Sequence, residues 1–206
     1  MMPPSQLLVL LLVGTAVAQS KERILLDCDT TVQIADGKIV IELWPWAAPI
    51  GVQRVLDMAE TGFFDDLPFF RAISGFLAQF GISPDPQKQA VFNQMGNIKD
   101  DAKPDPAVPF TAGVMAFAGY GEDSRSTQLF LTLGNQPHLG KSPWEVPVGQ
   151  VVSGLDVMKG IYTGYSDTID QTRLRLAAGP VYAQYPKLDR FKGCTVRTID
   201  EMRDEL

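Results

Sequence analysis

The apolar residues of this chain fall into seven or eight short runs, each stopped by Gly, Pro, Asp or Asn, and only two stretches between them keep the period of a helix. Runs of that length with period-two alternation read as strands. Lys38–Trp44 puts Ile39, Ile41 and Leu43 on one face, and the Asp36-Gly37 pair before it predicts a two-residue hairpin to a strand over Arg23–Asp29. Further strands are expected at Ala112–Ala118, Thr127–Leu133, Val146–Val152 and Cys194–Ile199. A helix is predicted over Ile50–Glu60, where Val52, Val55, Leu56 and Ala59 share a face, Pro49 stands at its start and Gly62 ends it. A second follows Ser153-Gly154-Leu155-Asp156, read as a capping box, with Leu155, Met158 and Tyr162 on one face and Gly164 beyond its end. One more short, irregular helix, broken at Gly179-Pro180, is expected between Ser166 and Tyr185, whereas Ile82 to Pro109 reads as a long surface loop. Many short strands with two helices close most economically into an antiparallel barrel with helices over its ends, because closure removes exposed edges.

At 206 residues, 45% hydrophobic and 20% charged, the chain is large enough for one domain with its own core. A net charge of −6, with both signs interspersed, argues against a nucleic-acid partner. Met1–Ala18 has the form of a secretory signal, with an apolar core from Leu7 to Val13 and small residues before a cleavage point after Ala18. That core is too short to span a bilayer, which takes about 20 residues, so no membrane span is expected after cleavage. The chain closes with Arg203-Asp204-Glu205-Leu206, similar to the tetrapeptides by which a receptor returns soluble proteins to the endoplasmic reticulum. Together these predict a mature domain over residues 19–202 in the lumen, with partial secretion because Arg replaces the usual Lys or His. The two cysteines, Cys28 and Cys194, are either one disulfide of an oxidising compartment or two small buried strand residues. One histidine and two distant cysteines leave no metal-ligand cluster, and pairs such as Asp65-Asp66 and Asp100-Asp101 read as solvated carboxylates in polar turns.

The most chemically unusual stretch is FFRAISGFLAQFG, residues 69–81. It suits two strands meeting at Ser74-Gly75 and sets one arginine and one amide among bulky apolar side chains. The donor fork of arginine must be satisfied, so an arginine in an apolar wall points to something planar and polar to be held. Read singly, Arg71 is an exposed or salt-bridged strand residue, Phe76, Leu77 and Phe130 are barrel core, and Gln79 and Gln128 carry no message.

Taken with IVIELWPWAAPIGVQRVLDMAETGFFD (39–65), GVMAFAG (113–119), STQLFLTLG (126–134) and VPVGQVVSGLDVMKGI (146–161), this stretch resembles the cyclophilins, the cyclosporin-binding peptidyl-prolyl isomerases. The resemblance runs from Ile24 to Thr198 and implies a mainly β fold, a closed eight-stranded antiparallel barrel capped by two helices, with a groove on its outer surface. It implies catalysis of X-Pro isomerisation during folding of secretory proteins, with no cofactor. Carried over position by position, Arg71 matches the catalytic arginine and Gln79 the amide that orients it. Phe76, Leu77, Phe130 and Leu139 match the proline pocket, Gln128 a groove glutamine, and Ala116 and Ala118 the small residues flanking the substrate backbone. Phe117 stands for an asparagine that serves through its backbone, and its ring is expected to crowd the groove. His138 stands for the tryptophan associated with cyclosporin, which implies weak cyclosporin binding. Phe70 replaces the histidine before the arginine, and the residue that closes the pocket near Trp144-Glu145 has no counterpart. These departures motivate a second expectation: a weakly active or inactive module that holds proline-containing segments or a chaperone partner.

Overall fold

The computed structural model describes residues 22–200; the signal-like segment 1–18 and the tetrapeptide 203–206 lie outside the described residues. Nine strands form one antiparallel sheet: β1 (Glu22–Thr30), β2 (Lys38–Leu43), β3 (Leu67–Pro68), β4 (Arg71–Ile73), β5 (Leu77–Phe80), β6 (Val114–Phe117), β7 (Leu129–Thr132), β8 (Pro147–Ser153) and β9 (Arg190–Asp200). Their order is β3-β9-β1-β2-β8-β6-β7-β5-β4. The two terminal strands of that order, β3 and β4, are joined in the chain by Phe69-Phe70 alone, so the sheet curls until its ends meet through the backbone. The expected eight strands become nine because Leu67-Pro68, ahead of the strand pair expected within 69–81, forms a strand of its own, split from β4 at Phe69-Phe70. At the split, Phe69 N–H leaves the ladder and donates to Asp189 O (2.9 Å), and its ring packs against Phe80 and Phe191.

Alternation works as predicted in β2, where Ile39, Ile41 and Leu43 are fully buried inside the curl with Leu26, Phe80, Met115, Phe117, Leu131 and Val148. Cys28 and Cys194 lie opposite each other in the β1–β9 register and are disulfide-bonded, which resolves the two readings of that pair. The β1–β2 connection is longer than a two-residue hairpin. Pairing stops at Asp29↔Lys38, and the turn is closed by Gly37 N–H donating to Ile34 O, with Ala35 and Gly37 at positive φ.

Among the described residues there are also four helices: α1 (Pro49–Glu60), α2 (Pro86–Met95), α3 (Leu155–Lys159) and α4 (Gln171–Tyr182). α1 ends as its sequence predicts. Phe63 N–H donates to Met58 O and Gly62 N–H to Ala59 O, a Schellman closure that needs the positive φ of Gly62. α2 lies inside the stretch expected to be a loop. Its N-cap Asp85 accepts from Gln87 N and Lys88 N, Pro86 follows, and Gly96 ends it. Only Phe92 of this helix is buried, edge-on to Phe63 at 4.9 Å, so no apolar period announces it.

α3 is shorter than expected. Its cap is Gly154 at φ 81°, not a Ser153 side chain, and it stops at Gly160 well before Gly164. A side chain at 154 would meet Lys38 O at 2.0 Å, so the β2–β8 approach requires glycine there. α4 breaks at Ala177 (φ −158°), earlier than the predicted Gly179-Pro180. The early break puts Pro180 in the first turn of the second segment, where no N–H is needed. This helix covers a second cluster of Phe70, Ile82, Ile169, Leu174, Val181, Tyr182 and Leu188. Burial pushes the Tyr182 phenol pKa up, and its hydroxyl donates to Ile82 O at 2.8 Å.

The Asp100-Asp101 pair is the sharpest departure from expectation. Asp101 is buried and accepts from Ile50 N (2.8 Å) and Gly51 N (2.9 Å). It thereby caps α1, whose own N-cap residue, Ala48, has no side-chain oxygen. The same carboxylate accepts from Arg125 Nη1 (2.9 Å), while Arg125 Nε faces Asp100 Oδ1 at 3.1 Å and Nη2 donates to Lys99 O. Arg125 is completely buried, with Cζ 5.5 Å from the Phe117 ring centroid.

Candidate active site

The β4–β5 hairpin turns at Ser74-Gly75 as expected, with Gly75 at positive φ and Phe76 N–H donating to Ile73 O. Its register sets Arg71 opposite Gln79. Gln79 is in turn opposite Phe130 of β7, and Phe130 is opposite Ala116 of β6. Residues directly opposite in a ladder point to the same face. Arg71, Gln79, Phe130 and Ala116 therefore form one row across four strands, on the face turned away from the main core. Distances in sequence of up to 59 residues are closed by register alone.

Along this row the polar groups are linked. Arg71 Nη1 donates to Gln79 Oε1 at 3.4 Å, and Gln79 Nε2 donates to Gln128 Oε1 at 3.0 Å. The guanidinium also lies over the Phe76 ring, Cζ 5.8 Å from its centroid. Beside it, Leu77, Phe110, Val114, Ala116 and Phe130 form a buried apolar cluster with Phe76, Ala118 and Leu139 packed at its edge. His138 is exposed at the rim, its ring 5.6 Å from that of Phe76. The structure thus gathers Arg71, Gln79, Phe76, Leu77, Ala116, Ala118, Gln128, Phe130, His138 and Leu139 in one place.

Phe117 is the exception. Its side chain is fully buried in the main core, because β6 alternates Val114 and Ala116 outward with Met115 and Phe117 inward. It does not crowd the groove; only its backbone is available there. Phe70 is likewise turned away, into the cluster beneath α4. Trp144 lies against the Gly119 backbone, where a Cβ would come within 2.5 Å of its ring, and takes no part in the apolar cluster.

Three contributors escape sequence reasoning. Phe110 stacks on Phe130 (centroids 6.2 Å, planes at 22°) and Val114 sits beside it. Gln136 is buried and donates from Nε2 to Gly75 O at 2.7 Å, tying the turn that carries His138 and Leu139 to the β4–β5 turn. An aromatic just before a predicted strand was a usable signal for Phe110. Nothing local marks Gln136. Among the described residues no group of three His, Cys, Asp or Glu could hold a metal ion.

An arginine held by an amide chain above an apolar floor can donate to a polar atom of a bound apolar group without making or breaking a bond. The family model of the cyclophilin type peptidyl-prolyl cis-trans isomerase/CLD matches residues 29–177 of this chain. The chain is a cyclophilin. Among curated relatives, it is 33% identical over 142 residues to peptidyl-prolyl cis-trans isomerase B of Bacillus subtilis, covering 68% of this chain and 94% of that one. It is also 33% identical over 141 residues to isomerase ppi1 of Schizosaccharomyces pombe, covering 68% and 88%. The crystal structure of a cyclophilin type isomerase from Cryptosporidium parvum superposes with TM-score 0.59 at 17% identity, over 85% of this chain and 98% of that one. A cyclophilin from Hirschia baltica gives 0.59 at 18%, over 84% and 76%. This cyclophilin is a peptidyl-prolyl cis-trans isomerase by family, and its mainly β, curled antiparallel sheet is the fold of those relatives.

Proposed function

We propose that this cyclophilin accelerates X-Pro isomerisation in polypeptides folding in the secretory pathway, and that Arg71 supplies the decisive interaction. The reading rests on the Arg71–Gln79–Gln128 chain set beside the Leu77–Phe110–Phe130 floor. Peptide rotation is slow because resonance must be lost, a barrier of ~18–20 kcal/mol. In the twisted state the proline nitrogen recovers its lone pair and accepts a hydrogen bond that the planar amide does not. A guanidinium fixed in place therefore binds the transition state better than the ground state. Gln79 Oε1 holds one Arg71 nitrogen and leaves the other donors of the fork for the substrate. The apolar floor takes the proline ring and excludes water.

Line-shape or exchange NMR on a short Ala-Pro peptide tests this directly. Wild type is expected to enhance cis-trans exchange, and Arg71→Ala to reduce the enhancement by roughly 10²–10³ while the fold stays intact. Peptide shift changes without enhanced exchange in the wild type would instead make the protein a binder of proline segments. Of the departures that favoured that second reading, Phe70 and Phe117 have side chains directed away from the groove, while the missing pocket-closing residue near Trp144-Glu145 still speaks for it.

Residence in the endoplasmic reticulum is part of the proposal. It is supported by the signal-like Met1–Ala18, by Arg203–Leu206, and by the Cys28–Cys194 disulfide, a bond that persists in oxidising compartments. Full-length protein expressed in a secretory cell is expected to stay in the lumen, and removal of Arg203–Leu206 to send it to the medium. Cytosolic residence of the full-length chain would defeat this part of the proposal.

A further inference from the structure

A cavity of about 730 Å³ adjoins the Arg71 row and shares Gln79 and Gln128 with it. Its far walls come from elements outside the row: Gln89 and Asn93 from α2, and Gln171 and Arg175 from α4. Residues four apart share a helix face, so each helix presents a pair of polar side chains to this space.

The hydrogen-bond polarity of two amide chains in the walls follows from two obligate donors. Arg71 can only donate, so Gln79 must turn its Oε1 to it; Gln79 Nε2 then donates to Gln128 Oε1, which leaves Gln128 Nε2 without a partner. Ser83 N–H can only donate, so Gln89 must turn its Oε1 to it at 2.9 Å; Gln89 Nε2 then donates to Asn93 Oδ1 at 3.1 Å, which leaves the Asn93 amide N–H groups open. Both chains of amides end in donors. Among the described residues Arg175 is the one charged side chain in the lining; it is exposed and forms no ion pair with any of them. Among the described residues no carboxylate lines the cavity.

Gln171, Asn97 and Ser126 can accept as well as donate, so what discriminates here is Arg175 with the two donor ends: Arg175 repels a cationic side chain, and a neutral one offers its charge no partner. A carboxylate accepts from Arg175 and from both donor ends. The net charge of −6 repels acidic chains at long range, so any preference for them is local to this site. We infer that the cavity receives the carboxylate of an Asp or Glu side chain near the proline of a client polypeptide. Arg175 is then a specificity-determining residue. This rests on the reading of the Arg71 row as the isomerisation site.

The test uses the mature chain and short Ala-rich peptides with one central Ala-Pro bond, carrying Glu or Gln singly at each of the nearby positions before and after it. Affinity is read from NMR titration and isomerisation from exchange, so failure of the isomerase reading shows in exchange and leaves the affinity comparison standing. At one position Glu is expected to bind about fivefold tighter than Gln at low ionic strength, the advantage shrinking with salt. Arg175→Ala is expected to erase that advantage and leave exchange of the all-Ala peptide unchanged, with Arg175→Lys keeping part of it. Equal binding of Glu and Gln at every position, or a Glu preference that survives Arg175→Ala, would overturn the inference.

Discussion

Phe117 shows how a single residue can be misplaced by family position and placed by alternation. Its neighbours Ala116 and Ala118 border the groove, but its own ring is buried in the core within 5.5 Å of the Arg125 guanidinium carbon. Substituting the asparagine that the cyclophilin resemblance implies at this position removes a buried ring and buries an amide without partners. Phe117→Asn is expected to cost about 3–5 kcal/mol in urea denaturation and to leave the Ala-Pro peptide affinity of the folded fraction unchanged. A variant of wild-type stability with altered peptide binding would show that the ring faces the groove after all. Phe70 is the same case on the other flank of Arg71, where an aromatic ring anchors α4 in place of a polar side chain.

Among the elements, α1 depends most on a distant part of the chain. Ala48 offers no cap, and Asp101 supplies one from 51 residues away while pairing with the buried Arg125. Gly51 is part of this joint, since a Cβ there would come within 2.8 Å of Val148 Cγ1. Loss of the carboxylate opens the helix end and takes from the buried Arg125 one of its two carboxylate partners, leaving Asp100. Asp101→Ala is therefore expected to destabilise by about 3–5 kcal/mol, and Asp101→Asn, which keeps an acceptor for Ile50 and Gly51, by less. Equal midpoints of urea unfolding for wild type and Asp101→Ala would mean the network is ornamental. The network joins residues 99–101 to Arg125, which is flanked in the chain by Ser124 and Ser126 of the cavity lining.

At the scale of the whole molecule, the curl of the sheet brings its ends together at Phe69-Phe70, and the disulfide ties β9 to β1, the second and third strands of the strand order. The bond spans 166 residues of sequence, so it restricts most of the unfolded chain. Its removal, by Cys28→Ser with Cys194→Ser or by reductant, is expected to lower stability by about 2–4 kcal/mol with catalysis of the folded protein unchanged, because the groove lies on β4 to β7. A urea midpoint that does not move while both thiols become titratable would contradict this.

Periodicity and turn residues alone determined every strand but β3, together with α1 and its Gly62 stop, because those signals are local: apolar alternation decides which face is buried, and positive φ selects glycine. They also sufficed, with the family pattern, to collect the groove residues around Arg71. What only the tertiary structure decided was anything that depends on two segments meeting. The solvated reading of Asp101 failed because its partners, Ile50 N and Arg125, are far away in sequence. α2 was hidden because a helix with one buried side chain has no apolar period, although Asp85-Pro86 and Gly96 marked its ends. The inward turn of Phe117, the Cys28–Cys194 bond and the donor-lined cavity between α2 and α4 all follow from ladder register and helix packing, which no local stretch of sequence encodes.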